Sequence, residues 1–108
     1  MKQLSTDEAI EVINNWFKVP ERVAHQVRIG AEKVRGGYVI IEFRAPWNGL
    51  DGSWMKSEIA KLILHKPSQF WKIYWKRASG MWELYGNYKT FIGALKIINQ
   101  DPHGCFWG

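Results

Sequence analysis

Lysine and tyrosine alternate along Lys72, Tyr74 and Lys76, inside a tryptophan-rich stretch of the chain. On the open face of an antiparallel sheet, tyrosine rings can stack on unpaired bases while lysines neutralise phosphates. Arg44 and Tyr85 fall at outward positions of other predicted strands. The sequence therefore predicts a face for nucleic acid or a protein partner, made of Arg44, Lys72, Tyr74, Lys76 and Tyr85.

An ordinary hydrated sheet explains the same alternation. Solvent-facing strand positions commonly carry lysine, glutamate and tyrosine, and Glu42 and Glu83 fall on the same predicted face. The aromatic motif of ribonucleoprotein-type domains is absent from the sequence. The sequence therefore leaves two interpretations of this face: it binds a partner, or it is an ordinary solvent-exposed surface.

The irregular segment 46–54 is a second candidate, because Trp47 and Trp54 frame a run of turn-forming residues. Loops of this kind are often functional. Two indoles with Asp51 between them could hold a small ligand, which the carboxylate would orient. The alternative is that both indoles fold back and close the end of the core.

The C-terminal tail, from His103 to Trp107, is the third candidate. A histidine and a cysteine two residues apart suggest metal ligands or a reactive thiol. Structural zinc needs four ligands, however, and the chain has one cysteine and three histidines without paired spacing. We therefore expect no metal and no cofactor, with Cys105 buried and with Phe106 and Trp107 anchoring the tail to the core.

Signatures of familiar enzymes are absent from the sequence. It has no nucleophile elbow and no phosphate-binding glycine loop, and Gly36 and Gly37 indicate a turn instead. His25 and His65 fall on predicted strands, where a structural role is the more common one. The sequence assigns no catalytic residue and favours a non-enzymatic role, although residues distant in the chain could still assemble a site.

The spacing of apolar residues predicts the scaffold that carries these candidates. A capping box at Ser5 and Glu8 begins one helix, and Thr90 begins a second helix that Pro102 stops. Between them, a period of two predicts strands over 23–29, 38–44, 58–65, 70–76 and 81–85. Short connections exclude parallel crossovers. The prediction is an α+β fold of order α-β-β-β-β-β-α, an antiparallel meander of four or five strands with both helices packed on one face.

The distribution of charge assigns the two faces of each strand, since lysine and glutamate must remain hydrated. The predicted inward residues are Val39, Ile41, Phe43, Trp71, Ile73, Trp75, Trp82 and Leu84. The predicted outward residues are Tyr38, Ile40, Glu42, Arg44, Lys72, Tyr74, Lys76, Glu83 and Tyr85.

Length and composition limit the number of domains, the disulfides and the location of the protein. A chain of 108 residues fits a single domain over 1–108, and the lone Cys105 excludes an intramolecular disulfide. The net charge is +5, and residues 56–96 hold eight Lys or Arg against Glu58 and Glu83. With a polar N-terminus and no apolar run that could span a bilayer, we expect a cytoplasmic protein without a membrane segment.

Two segments carry a family resemblance. The hairpin around Tyr74, Trp75 and Arg77 and the tail Asp101-Pro-His-Gly-Cys-Phe-Trp-Gly resemble a family of small bacterial proteins catalogued only as a domain of unknown function. The likeness runs from about Val23 to the end of the chain. It implies no activity that could be carried over.

The leading hypothesis is a binding or interaction module that uses its exposed sheet face, with single-stranded nucleic acid as the first partner to test. A protein–protein or self-association module using the same face is the alternative. An enzyme of unknown class, with a pocket near Trp47, Asp51 and Trp54, is a third.

Overall fold

Five strands follow one another along the chain and lie side by side in the same order, every neighbouring pair antiparallel. The computed structural model describes residues 5–46 and 54–107. Its elements are helix α1 (Thr6–Trp16), a 3₁₀ helix (Glu21–Val23), strands β1 (Val27–Val34), β2 (Gly37–Arg44), β3 (Met55–His65), β4 (Phe70–Lys76) and β5 (Trp82–Tyr88), and helix α2 (Phe91–Gln100). The predicted α+β meander is confirmed.

Both helices begin where the sequence predicts. The Ser5 hydroxyl accepts a hydrogen bond from the Glu8 N–H, and the Glu8 carboxylate accepts one from the Ser5 N–H. These bonds satisfy N–H groups that a helix start leaves without partners, and they lower the pKa of Glu8. Thr90 caps α2 by accepting from the Gly93 N–H at 2.9 Å.

The two helices pack on one side of the sheet and share one apolar cluster with it. The helices contribute small and branched residues, and β2, β3 and β4 contribute alternate positions. The most deeply buried members are Ala9, Ile13, Ile40, Ala60, Leu62, Ile73, Ala94, Leu95 and Ile98. Neither helix in the described part of the chain has the length and apolar character needed to cross a membrane. We call this side of the sheet the helix side and the other the open face.

The predicted facing of β2 is wrong. Tyr38 and Ile40 join the helix-side cluster, whereas Val39 and Ile41 lie on the open face. The sequence could not decide because β2 is buried on both sides: Val39 is 4% exposed and Ile41 1% exposed. With apolar residues at successive positions, the alternation of polarity that assigns a face is lost.

The predicted facing of β5 is also wrong, and the cause is a β-bulge. Ile73 pairs with Gly86 and Tyr74 pairs with Leu84, so Tyr85 is an extra residue in β5. An extra residue reverses the facing of all residues beyond it. In consequence Trp82 and Leu84 share the open face with Tyr74, while Glu83 and Tyr85 turn to the helix side. The inward positions of Trp71, Ile73 and Trp75 on β4 are confirmed.

The first strand begins later than predicted. Backbone hydrogen bonds from Ala24 to Glu21 and from Gln26 to Val23 hold residues 21–26 in successive turns. His25 therefore lies in a turn and not on a strand. The third strand is longer than predicted, beginning at Met55.

Candidate functional site

The open face is a grid of side chains that the strand register places in rows. One row runs across β1 to β5 as Glu32, Val39, Lys61, Tyr74 and Leu84, and the next as Gly30, Ile41, Glu58, Lys76 and Trp82. Lys72 lies beyond the first row, and Arg28, Phe43 and Lys56 lie beyond the second. Cations and aromatic rings thus meet on a surface that neither helix covers.

Lys61 lies at the centre of this surface. Its Nζ is 5.3 Å from the ring centroid of Tyr74 and 4.9 Å from that of Trp82. The Nζ of Lys76 lies 5.3 Å from the same Trp82 ring. These distances fall within the range of cation–π attraction. We call these four residues the Lys61 cluster.

Two carboxylates neutralise part of the charge. Glu58 forms an ion pair with Lys76, and Glu32 forms one with Lys56 at 2.8 Å. Glu32 is on β1 and Lys56 on β3, so the second pair crosses β2 at the level of Ile41. The side chains of this ion pair pass over β2, which helps to explain why Ile41 is buried although no helix packs on this face. Within residues 5–46 and 54–107, Lys72 makes no ion pair.

A second aromatic and cationic group lies at the other end of the face. The guanidinium carbon of Arg28 is 4.3 Å from the Trp54 ring centroid, and Lys56 Nζ is 5.9 Å from that of Phe43. Arg28, Phe43 and Trp54 line a pocket of about 380 Å³, together with Asn14, Ile29 and Gly30. A groove of about 500 Å³ adjoins it and runs beside the end of α1.

Three of the five residues predicted for the partner face lie together on the open face: Lys72, Tyr74 and Lys76. The other two do not. Arg44 lies on the helix side, where its Nε donates to Glu42 at 2.8 Å. Tyr85 packs on Phe106 with ring centroids 4.9 Å apart.

Burial raises the pKa of Tyr85, and the neighbouring Tyr88, Cys105 and Asp101 raise it further. Burial also raises the pKa of Tyr88. Tyr85 is half-buried against the helix-side cluster, so it does not serve as a stacking platform on the open face.

Sequence reasoning missed Lys61, Trp82 and the pair Arg28–Trp54. Lys61 lies on a predicted strand to which the sequence assigns no facing, because the residues that follow it, 62–64, are all apolar. The sequence places Trp82 in the core because its charged neighbour Glu83 is expected to face solvent. A glycine inside a strand is itself a signal of a bulge, and this signal could have placed Trp82 correctly.

The loop hypothesis rests on Trp47, Asp51 and Trp54, of which Trp47 and Asp51 lie outside the described residues. Trp54 is half-buried and stacks against Arg28.

The tail packs on the core, as predicted for Phe106 and Trp107. The Trp107 indole donates to the Ile98 carbonyl at 2.9 Å, and its ring lies 5.6 Å from that of Phe17 at the end of α1. Phe106 is buried and Cys105 half-buried. Among residues 5–46 and 54–107, no three histidine, cysteine or acidic side chains converge as metal ligands.

The histidines are accounted for by local structure. His65 ends β3, and its Nδ1 lies 2.7 Å from the Ser68 hydroxyl in the turn that follows. His25 is exposed in the turn before β1, and the His103 ring lies 6.1 Å from that of Tyr85.

Comparison with known proteins places the chain in a family. Searches of curated proteins and of solved structures give no significant match. The model of one family, described as domain of unknown function (DUF3024), matches residues 1–108, a longer stretch than the resemblance from Val23 onward. The protein therefore belongs to the DUF3024 family.

Proposed function

We propose that the protein binds single-stranded nucleic acid through the open face. The observation that carries the proposal is the Lys61 cluster, in which two cations lie against two aromatic rings on a sheet surface without a covering helix. Rings presented in this way stack on bases, and lysine ammonium groups neutralise phosphates.

The ring geometry favours a single strand over a duplex. The rings of Tyr74 and Trp82 are contacted by lysine ammonium groups on the open face. A base can stack on such a ring only when it is not paired and stacked inside a helix. Lys61 and Lys76 lie over these rings, so an incoming base displaces an ammonium group onto the adjoining phosphate. Each stacked base contributes about 1–3 kcal/mol.

The charge of the face supports a polyanionic partner. On the described strands, the open face carries five cations and two carboxylates, Glu32 and Glu58. The cations are Arg28, Lys56, Lys61, Lys72 and Lys76. Both carboxylates are already paired with a lysine, which leaves a net positive surface. Such a surface attracts a phosphate backbone at long range.

The test is fluorescence anisotropy with labelled oligothymidine and oligouridine of about 12 nucleotides. Between about 50 mM and 200 mM salt, affinity should fall with a log–log slope near −0.7 for each phosphate contacted. Trp82→Ala should weaken binding about 5- to 150-fold through the lost stacking. Titrations without signal change at both salt concentrations would refute the proposal.

A charge reversal supplies the matched control. Lys72→Glu changes a cation on the open face, whereas Lys96→Glu makes the same change on the exposed surface of α2. Only the first should weaken binding strongly. Equal losses in the two variants would indicate that net charge, and not the open face, drives association.

Self-association is the second candidate, and it has its own observation. β5 is an edge strand of the sheet. Leu84 on this strand is 47% exposed, and Met81, which immediately precedes the strand, is 69% exposed. Exposed apolar residues at a sheet edge favour pairing with a second copy. Sedimentation as a function of salt separates the two candidates, since an apolar contact persists at high salt while nucleic-acid affinity falls. Leu84→Lys should abolish any such dimer.

A further inference from the structure

We infer that the pocket between Arg28, Phe43 and Trp54 is a second base-binding subsite for the strand that crosses the Lys61 cluster, an inference that rests on the proposed function. The pocket of about 380 Å³ lies within the size range of ligand pockets. The register places Arg28 and Phe43 on the same side of the sheet as Lys61 and Trp82. A ligand on the open face can therefore reach Arg28 and Phe43, while Asn14 and Ile29 line the pocket at the β1 edge of the sheet.

A glycine contributes to the shape of this pocket. A Cβ built on Gly30 would lie 3.3 Å from the Phe43 ring and 3.8 Å from Oδ1 of Asn14, and both residues line the pocket. Any larger side chain at position 30 would occupy space beside the ring. The glycine thus lets the Phe43 ring pack close to β1 as one wall of the pocket.

The polar groups suit a nucleotide. The guanidinium carbon of Arg28 lies 4.3 Å from the centroid of the Trp54 indole. A guanidinium is a planar cation that can stack on a base and pair with a phosphate. Asn14 offers both an amide donor and a carbonyl acceptor, the groups that read the edge of an unpaired base. The chemistry therefore favours a base with its phosphate over an apolar ligand.

Strand spacing gives the length of nucleic acid that joins the two groups. From Arg28 on β1 to Trp82 on β5 there are four strand intervals and one row, a path of about 20 Å. At about 3.4 Å per stacked nucleotide, and about twice that when extended, this path takes roughly three to six nucleotides. Lys56 and Lys76 lie between the two ends, where the intervening phosphates would pass.

The experiment compares oligothymidines of about 2 and about 12 nucleotides, because only the longer one reaches both groups. Wild type should bind the longer one at least tenfold more tightly. Trp54→Ala should lower affinity for the longer oligonucleotide roughly tenfold and for the shorter one less than twofold. Trp82→Ala should weaken both.

Two milder substitutions protect the test against misfolding. Arg28→Lys keeps the charge but loses the planar stack, and Gly30→Ala adds one methyl group beside Phe43; both should reproduce the length-selective loss. Circular dichroism melting confirms that each variant folds. If these variants keep the wild-type ratio between long and short oligonucleotides, the subsite is refuted while the proposed function stands. If wild type binds neither oligonucleotide, the proposed function itself fails.

Discussion

Oδ2 of Asp101 accepts a hydrogen bond of 2.8 Å from the backbone N–H of Trp107. Oδ1 of the same carboxylate accepts one from Phe106 at 3.1 Å. Asp101 also ends α2 in the left-handed conformation, with φ of 46°, which aspartate and asparagine tolerate better than most residues. One side chain therefore both ends the helix and folds the tail back onto the core.

Asp101→Ala should lower the free energy of unfolding by about 2–4 kcal/mol, because it removes two charge-assisted bonds and strains a positive φ. Asp101→Asn keeps one acceptor and the tolerated backbone, so it should lose less. Urea denaturation followed by circular dichroism measures both. Equal stability of the alanine variant and wild type would contradict this role.

Leu62 and Leu84 test the assignment of the two faces. Leu62 is fully buried in the helix-side cluster, and Leu84 is about half exposed on the open face. Leu62→Ala should cost about 2–5 kcal/mol, and Leu84→Ala less than about 1 kcal/mol. The inward position first predicted for Leu84 would require similar losses, so the ratio of the two measured values decides between the assignments.

Gly37 tolerates no side chain. A Cβ there would lie 1.7 Å from the Leu62 carbonyl oxygen, so β2 and β3 would have to separate. Gly37→Ala should cost several kcal/mol or prevent folding. Gly80→Ala is the control: φ is 88°, but no atom lies within 4 Å, and the expected cost is about 1–2 kcal/mol. Thermal melting of the two variants checks the order.

The partly buried Tyr85 and Tyr88 predict a loss of stability in alkali. Their pKa values are raised in the folded protein, so the unfolded chain releases these protons at lower pH. Stability from this source is complete below about pH 10, the ordinary tyrosine pKa, and declines as pH rises through it. Urea denaturation between about pH 9 and 11 should show a shallower decline in Tyr85→Phe/Tyr88→Phe than in wild type. Parallel declines would exclude a contribution from these phenols.

Glu58 restrains a lysine of the proposed binding face. Glu58→Gln removes the ion-pair partner of Lys76 and one negative charge next to Trp82. Affinity for oligothymidine should rise about two- to fivefold at low salt, with a smaller gain at high salt. Glu11→Gln makes the same change on the exposed surface of α1 and should have little effect. A gain of the same size in both variants would point to net charge alone.

The sequence predicted the element order, the antiparallel meander and both helix caps, because each depends on residues close together in the chain. The predicted facing of the side chains is wrong for β2 and β5, because it depends on more than residues close together in the chain. β2 is apolar on both sides, and the bulge at Tyr85 depends on how β5 fits β4, which local periodicity cannot express.

The candidate site could also be predicted only where its residues lie close together in the chain. Lys72, Tyr74 and Lys76 were predicted together because they alternate within one strand. Lys61 and Trp82 come from two other strands, and their meeting depends on registers that only the folded sheet sets. Arg28 and Trp54 are still further apart in the chain, and no motif connects them.

The contact between Phe17 and Trp107 also bears on the order of folding. Each hairpin of the meander can form soon after its second strand leaves the ribosome, because its partners are neighbours in sequence. The Trp107 ring reaches α1 only after α2 has been made, and closing so long a loop carries an entropic cost. Helix α1 therefore completes its packing only after the five strands and α2 have been made.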